Sequence, residues 1–185
     1  MVRVYELCIR YTFAANASDY ETIRIGDIQG TVSVADDVIT ATAQGNGVMG
    51  KKVRHDHMVF VPLYENVAAA GDIRIQVKVS DIQENEFGGI AIRQSYSDDD
   101  RTYVLGRIMK EGASRPGEFR WTRRIQGKKS STSNANGRTN ARIRDGKVWN
   151  VQFEDGFSIG VMVAVGEEGL PASFQFKELE IIGIN

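Results

Sequence analysis

The residues best equipped for chemistry fall into a few short strings. His55-Asp56-His57 holds both histidines of the chain. In a strand, residues at i and i+2 share a face, so the two imidazoles could chelate a metal ion. The sequence nominates no third ligand, and solvated loop histidines account for the string more simply. Ser95-Tyr96-Ser97-Asp98-Asp99-Asp100 gathers carboxylates, and hard oxygen ligands suit Ca²⁺. Asp98, Asp99 and Asp100 are therefore the candidate calcium ligands, although the spacing is not that of an EF-hand and an exposed acidic turn is the plainer reading.

Catalytic constellations are harder to assemble. A nucleophile needs a positioned base, and the chain has no G-x-S-x-G elbow; Cys8 sits among apolar neighbours and reads as a small buried hydrophobe. Glycoside hydrolysis needs two carboxylates about 5–10 Å apart. Glu178 with Glu180 and Glu84 with Glu86 are the available pairs, but the first lies in a terminal strand and the second in a turn. A polysaccharide lyase would need a Tyr or His base and Arg or Asn to neutralise a uronate. Tyr96, Tyr103, Arg93, Arg107 and Arg123 offer those groups without a diagnostic spacing.

The most suggestive group combines aromatic and guanidinium side chains: Arg93, Tyr96, Tyr103, Arg107, Arg120, Trp121, Arg123 and Trp149. Flat rings offer stacking surfaces to sugars, and Arg gives planar, bidentate bonds to hydroxyls and carboxylates. Tryptophans in small domains also serve as core, which is the competing reading of Trp121 and Trp149.

These side chains must be carried by strands. Period-2 alternation is clearest in Ile73-Arg74-Ile75-Gln76-Val77-Lys78-Val79 and in Phe157 to Val165. Phe87 to Arg93 reads as a central strand buried on both sides, and 119–124 as another strand. Further strands are expected near 2–13, 31–34, 38–43, 58–64, 103–109, 148–153 and 172–182. Asp36-Asp37, Asn46-Gly47, Asn136-Gly137, Asp145-Gly146 and Asp155-Gly156 tolerate the positive φ of tight hairpins. No window keeps a 3.6-residue period over three turns. The stretch 127–140 is too polar to offset its ordering entropy by burial and is expected to be a mobile loop or hairpin tip.

Composition agrees with one soluble domain: 185 residues, 42% apolar and 25% charged. No apolar run approaches the ~20 residues of a membrane span, and the N-terminus is not a signal peptide. A lone cysteine excludes an internal disulfide. The net charge of −1 conceals an asymmetry, since residues 101–144 hold twelve Lys/Arg against Glu111 and Glu118, a local sum of +10. That charge suits an anionic partner unless the fold returns it to carboxylates elsewhere. Nucleic acid is disfavoured, because no helix-turn-helix, zinc finger or RNA-recognition signature accompanies it.

From about Gly26 onward the chain resembles bacterial concanavalin-A-like lectin/glucanase domains that accompany secreted polysaccharide-degrading enzymes, and is similar to levan-binding carbohydrate-binding modules. The resemblance lies in the order of GDIQGTVSVADDVITATAQGNGV, DHMVFVPLYENVAAAGDIRIQVKV, FGGIAIRQSYSDDDRTYVLG, EFRWTRRIQG and FSIGVMVAVGEEGLPASFQFKELEIIG. It implies an all-β, two-sheet antiparallel jelly-roll sandwich over 26–185, with 1–25 a strand or the tail of a preceding segment. It also implies a non-catalytic binding module beside a catalytic domain in a secreted chain, with polysaccharide as partner, no cofactor beyond Ca²⁺, and no membrane. Arg93 matches the core-strand arginine of that group, and Arg120 or Arg123 its second arginine. On this reading the concave sheet offers Arg93, Tyr103, Arg107, Arg120, Trp121 and Arg123 to a glycan, an acidic one such as pectin suiting the charge. The alternatives are an interaction module without sugar binding, and a lyase or hydrolase.

Overall fold

The computed structural model describes residues 6–11, 20–36, 38–45, 55–82, 86–109, 118–125, 128, 131–134, 140–165 and 171–184. These carry sixteen strands and no helix: β1 Glu6–Tyr11, β2 Ile23–Ile25, β3 Ile28–Gln29, β4 Val32–Ala35, β5 Val38–Gly45, β6 Met58–Val67, β7 Asp72–Ile82, β8 Glu86–Arg93, β9 Thr102–Met109, β10 Glu118–Arg124, β11 Ser131–Asn134, β12 Asn140–Arg144, β13 Lys147–Val148, β14 Val151–Gln152, β15 Phe157–Val165 and β16 Ala172–Ile184. The chain is an all-β, two-sheet antiparallel sandwich. One sheet runs β14-β13-β12-β7-β16-β5-β3, with β1 on β16 and β4 on β5; the other runs β11-β10-β9-β8-β15-β6-β2.

The core lies where alternate side chains of both sheets meet. Val59, Val61, Ile90, Ile92, Tyr103, Leu105, Ile159, Val161 and Val163 come from the seven-stranded sheet, and Ile39, Ala41, Ile75, Ile143, Phe174 and Phe176 from the nine-stranded one, with Phe153 added from just beyond β14. Gly88 keeps the layers close: a Cβ there would fall inside the Phe174 ring. The opposite face of the seven-stranded sheet is also apolar. Ile25, Met58, Phe60, Phe87, Ala91, Val104, Met162 and Ala164 form a second cluster, none more than 2% exposed. β8 is therefore buried on both sides, as its apolar run predicts, and so is β15, whose period-2 alternation suggests a half-buried strand.

Within 1–25, expected to be a strand or the tail of a preceding segment, β1 pairs with β16 from Glu6↔Ile184 to Tyr11↔Leu179, and β2 pairs with β6. Three sequence expectations change. The single strand expected at 148–153 is two short strands, β13 and β14, folded back at Trp149-Asn150. Ser131–Asn134 is not a loop tip but pairs with β10; an edge strand needs backbone partners, not apolar side chains. β12, unforeseen, joins β7. Of the expected turns, Asp145 (φ 48°) and Gly146 (φ 70°) both take positive φ, the signature of a type I′ hairpin, and the second residue is one that bears no steric penalty there. Asn46-Gly47 and Asn136-Gly137 lie outside the described residues.

Candidate functional site

Three polar constellations stand out, and the expected binding residues divide among them. At one end of the seven-stranded sheet, β8, β9 and β10 bring Arg93, Thr102 and Arg124 to the carboxylate of Asp56. Arg93 Nη1 donates to Asp56 Oδ2 at 2.9 Å and to Thr102 Oγ1 at 2.6 Å, and the Thr102 hydroxyl donates to the same Oδ2 at 3.0 Å. Arg124 takes the other oxygen, Nη2 at 2.7 Å and Nε at 3.2 Å. The remaining guanidinium donors tie down loops. Arg93 donates to the carbonyls of Ser95 and Ser97, and Arg124 to that of Lys128. The Asp56 amide donates to the Asp98 carbonyl at 2.7 Å. Burial pushes the Asp56 carboxyl up, but the Arg93 charge and the hydrogen bond and charge of Arg124 outweigh it, so it titrates below the ordinary carboxylate range.

This corrects the expectation for Arg93. Its side chain is 0% exposed and every nitrogen is engaged, so it cannot meet a glycan. Tyr103, 3% exposed, belongs to the inter-sheet core and is likewise withdrawn from any ligand. Because the outer face of this sheet is occupied by the second apolar cluster, the expected glycan platform is closed at its centre. Arg123 is half-buried and pairs with Tyr103 in the ladder. Arg107, Arg120 and Trp121 hold their places in β9 and β10, and their side chains lie outside the described residues. Those of Cys8, Glu86, Glu178 and Glu180, and Glu84 altogether, also lie outside them.

The second constellation is Tyr96, partly buried on the outer face with its ring 6.0 Å from that of Phe60. Its hydroxyl donates to Glu65 Oε1 and lies 3.5 Å from Ser158 Oγ. Desolvation, followed by the Glu65 hydrogen bond, pushes its pKa up to about 12. A phenol held protonated in this way is a poor lyase base.

The acidic run does not converge on a point. Asp98 Oδ2 faces His55 Nδ1 at 3.2 Å, Asp99 Oδ1 accepts from Ser97 Oγ at 2.7 Å, and Asp100 accepts from Ser95 Oγ and the Arg101 amide, both at 2.6 Å. His57 does not face a shared metal with His55, since its Nδ1 accepts from the Asp27 amide at 2.7 Å. Among the described residues no three His, Cys, Asp or Glu side chains gather to hold a metal ion. Within the same residues no helix is long and apolar enough to cross a membrane.

The third constellation was not foreseen as a unit. On the outer face of the nine-stranded sheet Arg74 pairs with Arg142, and Arg144 with both Asp72 and Lys147. Their neighbours Ile75, Ala141, Ile143 and Val148 turn inward, so the strand alternation puts all four cations out. Arg142 holds Asp72 with Nε at 2.8 and 2.9 Å and with Nη2. Arg144 Nε lies 4.0 Å from the same carboxylate. The Arg142 hydrogen bond, with the charges of Arg142, Arg144 and Arg74 behind it, holds Asp72 below the usual carboxylate range despite desolvation. Beside them the β13–β14 turn presents Trp149, among the described residues the large apolar side chain left exposed, at 50%. Its φ of 54° is a conformation that bulky side chains avoid. The sequence signal was the run Arg142-Ile143-Arg144 followed by Asp145-Gly146; what hid the site was its dependence on Asp72 and Arg74, about 70 residues earlier.

Part of the basic excess is returned to carboxylates elsewhere: Arg124 to Asp56, Arg142 to Asp72, and Arg101 to Glu154 with both terminal nitrogens at 3.0 Å. The Arg74, Arg142 and Arg144 trio keeps a surplus, because three guanidinium charges share one carboxylate.

No protein-family model matches the chain, and no curated protein does. Its fold is similar to that of a solved protein of Saccharomyces cerevisiae, described as functionally unknown, with a TM-score of 0.62 and 15% identity over 92% of this chain and 99% of that one. A likeness at that identity speaks to architecture and not to activity.

Proposed function

We propose that this protein is a non-catalytic, glycan-binding sandwich module that takes an acidic polysaccharide on the outer face of its nine-stranded sheet. The observation that carries the reading is the cluster of three arginines around Asp72, with an exposed Trp149 in the turn that follows β13, the strand paired with the arginine-bearing β12. An exposed indole offers a stacking plane, and guanidinium groups not fully matched by carboxylates attract uronate groups bidentately. The resemblance to concanavalin-A-like modules of secreted polysaccharide-degrading enzymes is consistent with this reading and adds a neighbouring catalytic domain as partner. The burial of Arg93 and Tyr103 supports the nine-stranded sheet over the seven-stranded one for this role.

Affinity electrophoresis in gels containing polygalacturonate, xylan, levan or neutral glucan tests the proposal. Retardation by polygalacturonate that Trp149→Ala and Arg144→Ala each weaken is expected, along with its loss at high salt, since exposed charges are screened. Absence of retardation by every polysaccharide in a folded sample overturns the reading. So does retardation only by single-stranded DNA, which would assign the surface to nucleic acid.

A further inference from the structure

The carboxylate in the middle of the basic face bears on which anions that face accepts, an inference that rests on the proposed glycan binding. Asp72 is fixed in place by its backbone. It pairs with Arg144 on one side and Ile184 on the other, so the residue is held between two strands. The residue before it is tied down as well. The Gly71 amide donates to Asp145 Oδ1 at 3.3 Å, and the Asp145 amide donates to the Gly71 carbonyl at 2.7 Å. The Asp72 side chain is 18% exposed, against 46% for Arg142 and 66% for Arg144, so it lies deeper than these cations.

Arg142 closes on that carboxylate side-on, with Nε at 2.8 and 2.9 Å and Nη2 beside it. Arg144 approaches to 4.0 Å, and the charge of Arg74 acts on the same group. A compact oxyanion is held best where several guanidinium groups act on one point. Here that point is already taken by an anion of the protein's own chain. Asp72 thus fills the place of a ligand anion for Arg142, and it repels a second anion aimed at the same spot. A uronate carries a single charge on a planar carboxylate, which one outlying guanidinium fork can match. A sulfate ester, with three terminal oxygens, gains most from several cations together, and Asp72 withholds that arrangement.

We infer that Asp72 is a specificity-determining residue, a built-in counter-anion that makes the basic face selective for carboxylate polysaccharides over sulfated ones. It acts by holding Arg142 and by repulsion, not by touching the sugar.

Affinity electrophoresis with polygalacturonate and with dextran sulfate, at equal charge concentration and several salt levels, tests it. Wild type should hold polygalacturonate at least as tightly as dextran sulfate. Asp72→Asn keeps the side-chain shape and an oxygen for Arg142. It should raise affinity for dextran sulfate at least about threefold relative to polygalacturonate, the size of one exposed charge–charge interaction. Its binding should also fall more steeply with salt. Asp72→Glu, which restores the charge, should return the wild-type ratio, and Asp72→Asn combined with Arg144→Ala should lose the gain. Arg142 is half-exposed, so loss of its counter-charge leaves no buried cation and the Asn variant should keep the wild-type circular dichroism spectrum. A wild-type preference for dextran sulfate, an unchanged ratio in Asp72→Asn, or a gain that survives the loss of Arg144 overturns the role of Asp72 while glycan binding stands. A misfolded Asp72→Asn variant would make the residue structural and overturns it too. If wild type is not retarded by polygalacturonate, both readings fall together.

Discussion

Arg124 meets Asp56 from 68 residues further along the chain, its Nη2 2.7 Å from the carboxylate oxygen that Arg93 leaves unused. One carboxylate thereby neutralises half of a two-arginine charge inside the protein. Each member satisfies the others, and the arginines' spare donors close on the carbonyls of Ser95, Ser97 and Lys128. Such a cluster makes a modest net contribution when complete but is costly to break.

Asp56→Ala is accordingly expected to destabilise the fold by about 3–5 kcal/mol, because two guanidinium groups stay buried without their counter-charge. Chemical denaturation followed by fluorescence measures it. A loss below about 1 kcal/mol would mean that water reaches both arginines and replaces the carboxylate.

The same carboxylate sets an acid limit. Its pKa is lower in the folded state than in the unfolded chain, so its contribution is present above the ordinary carboxylate value of about 3.9 and is lost as pH falls through the lower folded value. Denaturation curves between about pH 5 and pH 2 should show wild type losing stability steeply and Asp56→Ala less so. Parallel curves would remove Asp56 as the source.

At the alkaline end the sign reverses. Tyr96 binds its proton more tightly when folded, so its contribution is complete below the ordinary tyrosine value of about 10 and is lost as pH rises towards about 12. Ultraviolet titration should show a late-ionising tyrosine that disappears in Tyr96→Phe and moves to lower pH in Glu65→Gln. An unchanged midpoint in the Gln variant would deny Glu65 its part.

Gly88→Ala should cost about 1–3 kcal/mol, since the added methyl must push the Phe174 ring from its place between the sheets. Phe174→Leu in the same background should recover part of that loss, measured as a positive coupling in a double-mutant cycle. Additive losses would show that the two positions are relieved independently.

Trp149 separates stability from binding. Its φ of 54° strains any bulky residue, whereas Asn accepts that conformation readily. Trp149→Asn should raise the thermal midpoint by about 2–4 °C, the effect of about 1 kcal/mol in a chain of this size, while abolishing retardation by polygalacturonate. A lowered midpoint would assign the indole to packing instead.

The strand framework is largely legible in the sequence wherever one or both faces are apolar. Phe157 to Val165 is a strand over those nine residues, and Phe87 to Arg93 is buried throughout. Ser131–Asn134 escapes such reading because backbone pairing alone makes it a strand. The Trp149-Asn150 turn escapes it because no glycine announces the positive φ. Side-chain roles are less legible for a physical reason. Arg93 has the same sequence character as a ligand-facing arginine until Asp56, 37 residues away, is placed beside it. Asp56 itself is concealed between two histidines that draw attention as metal ligands. Arg142 and Arg144 form a surface only when Asp72 and Arg74 join them across the β7–β12 ladder.

The position of β16 has a further consequence for how the chain comes to be folded. This strand, the last in the described order, contacts β7 along one edge and β5 and β1 along the other. During synthesis β1, β5 and β7 therefore emerge with their shared partner still missing, and the nine-stranded sheet cannot close until residues 172–184 have left the ribosome. Such long-range pairing places folding in the slow, millisecond-to-second regime of all-β domains. In that interval the Ile39, Ala41 and Ile75 side chains have no finished core to enter, so chaperone demand should fall sharply once the final strand is released.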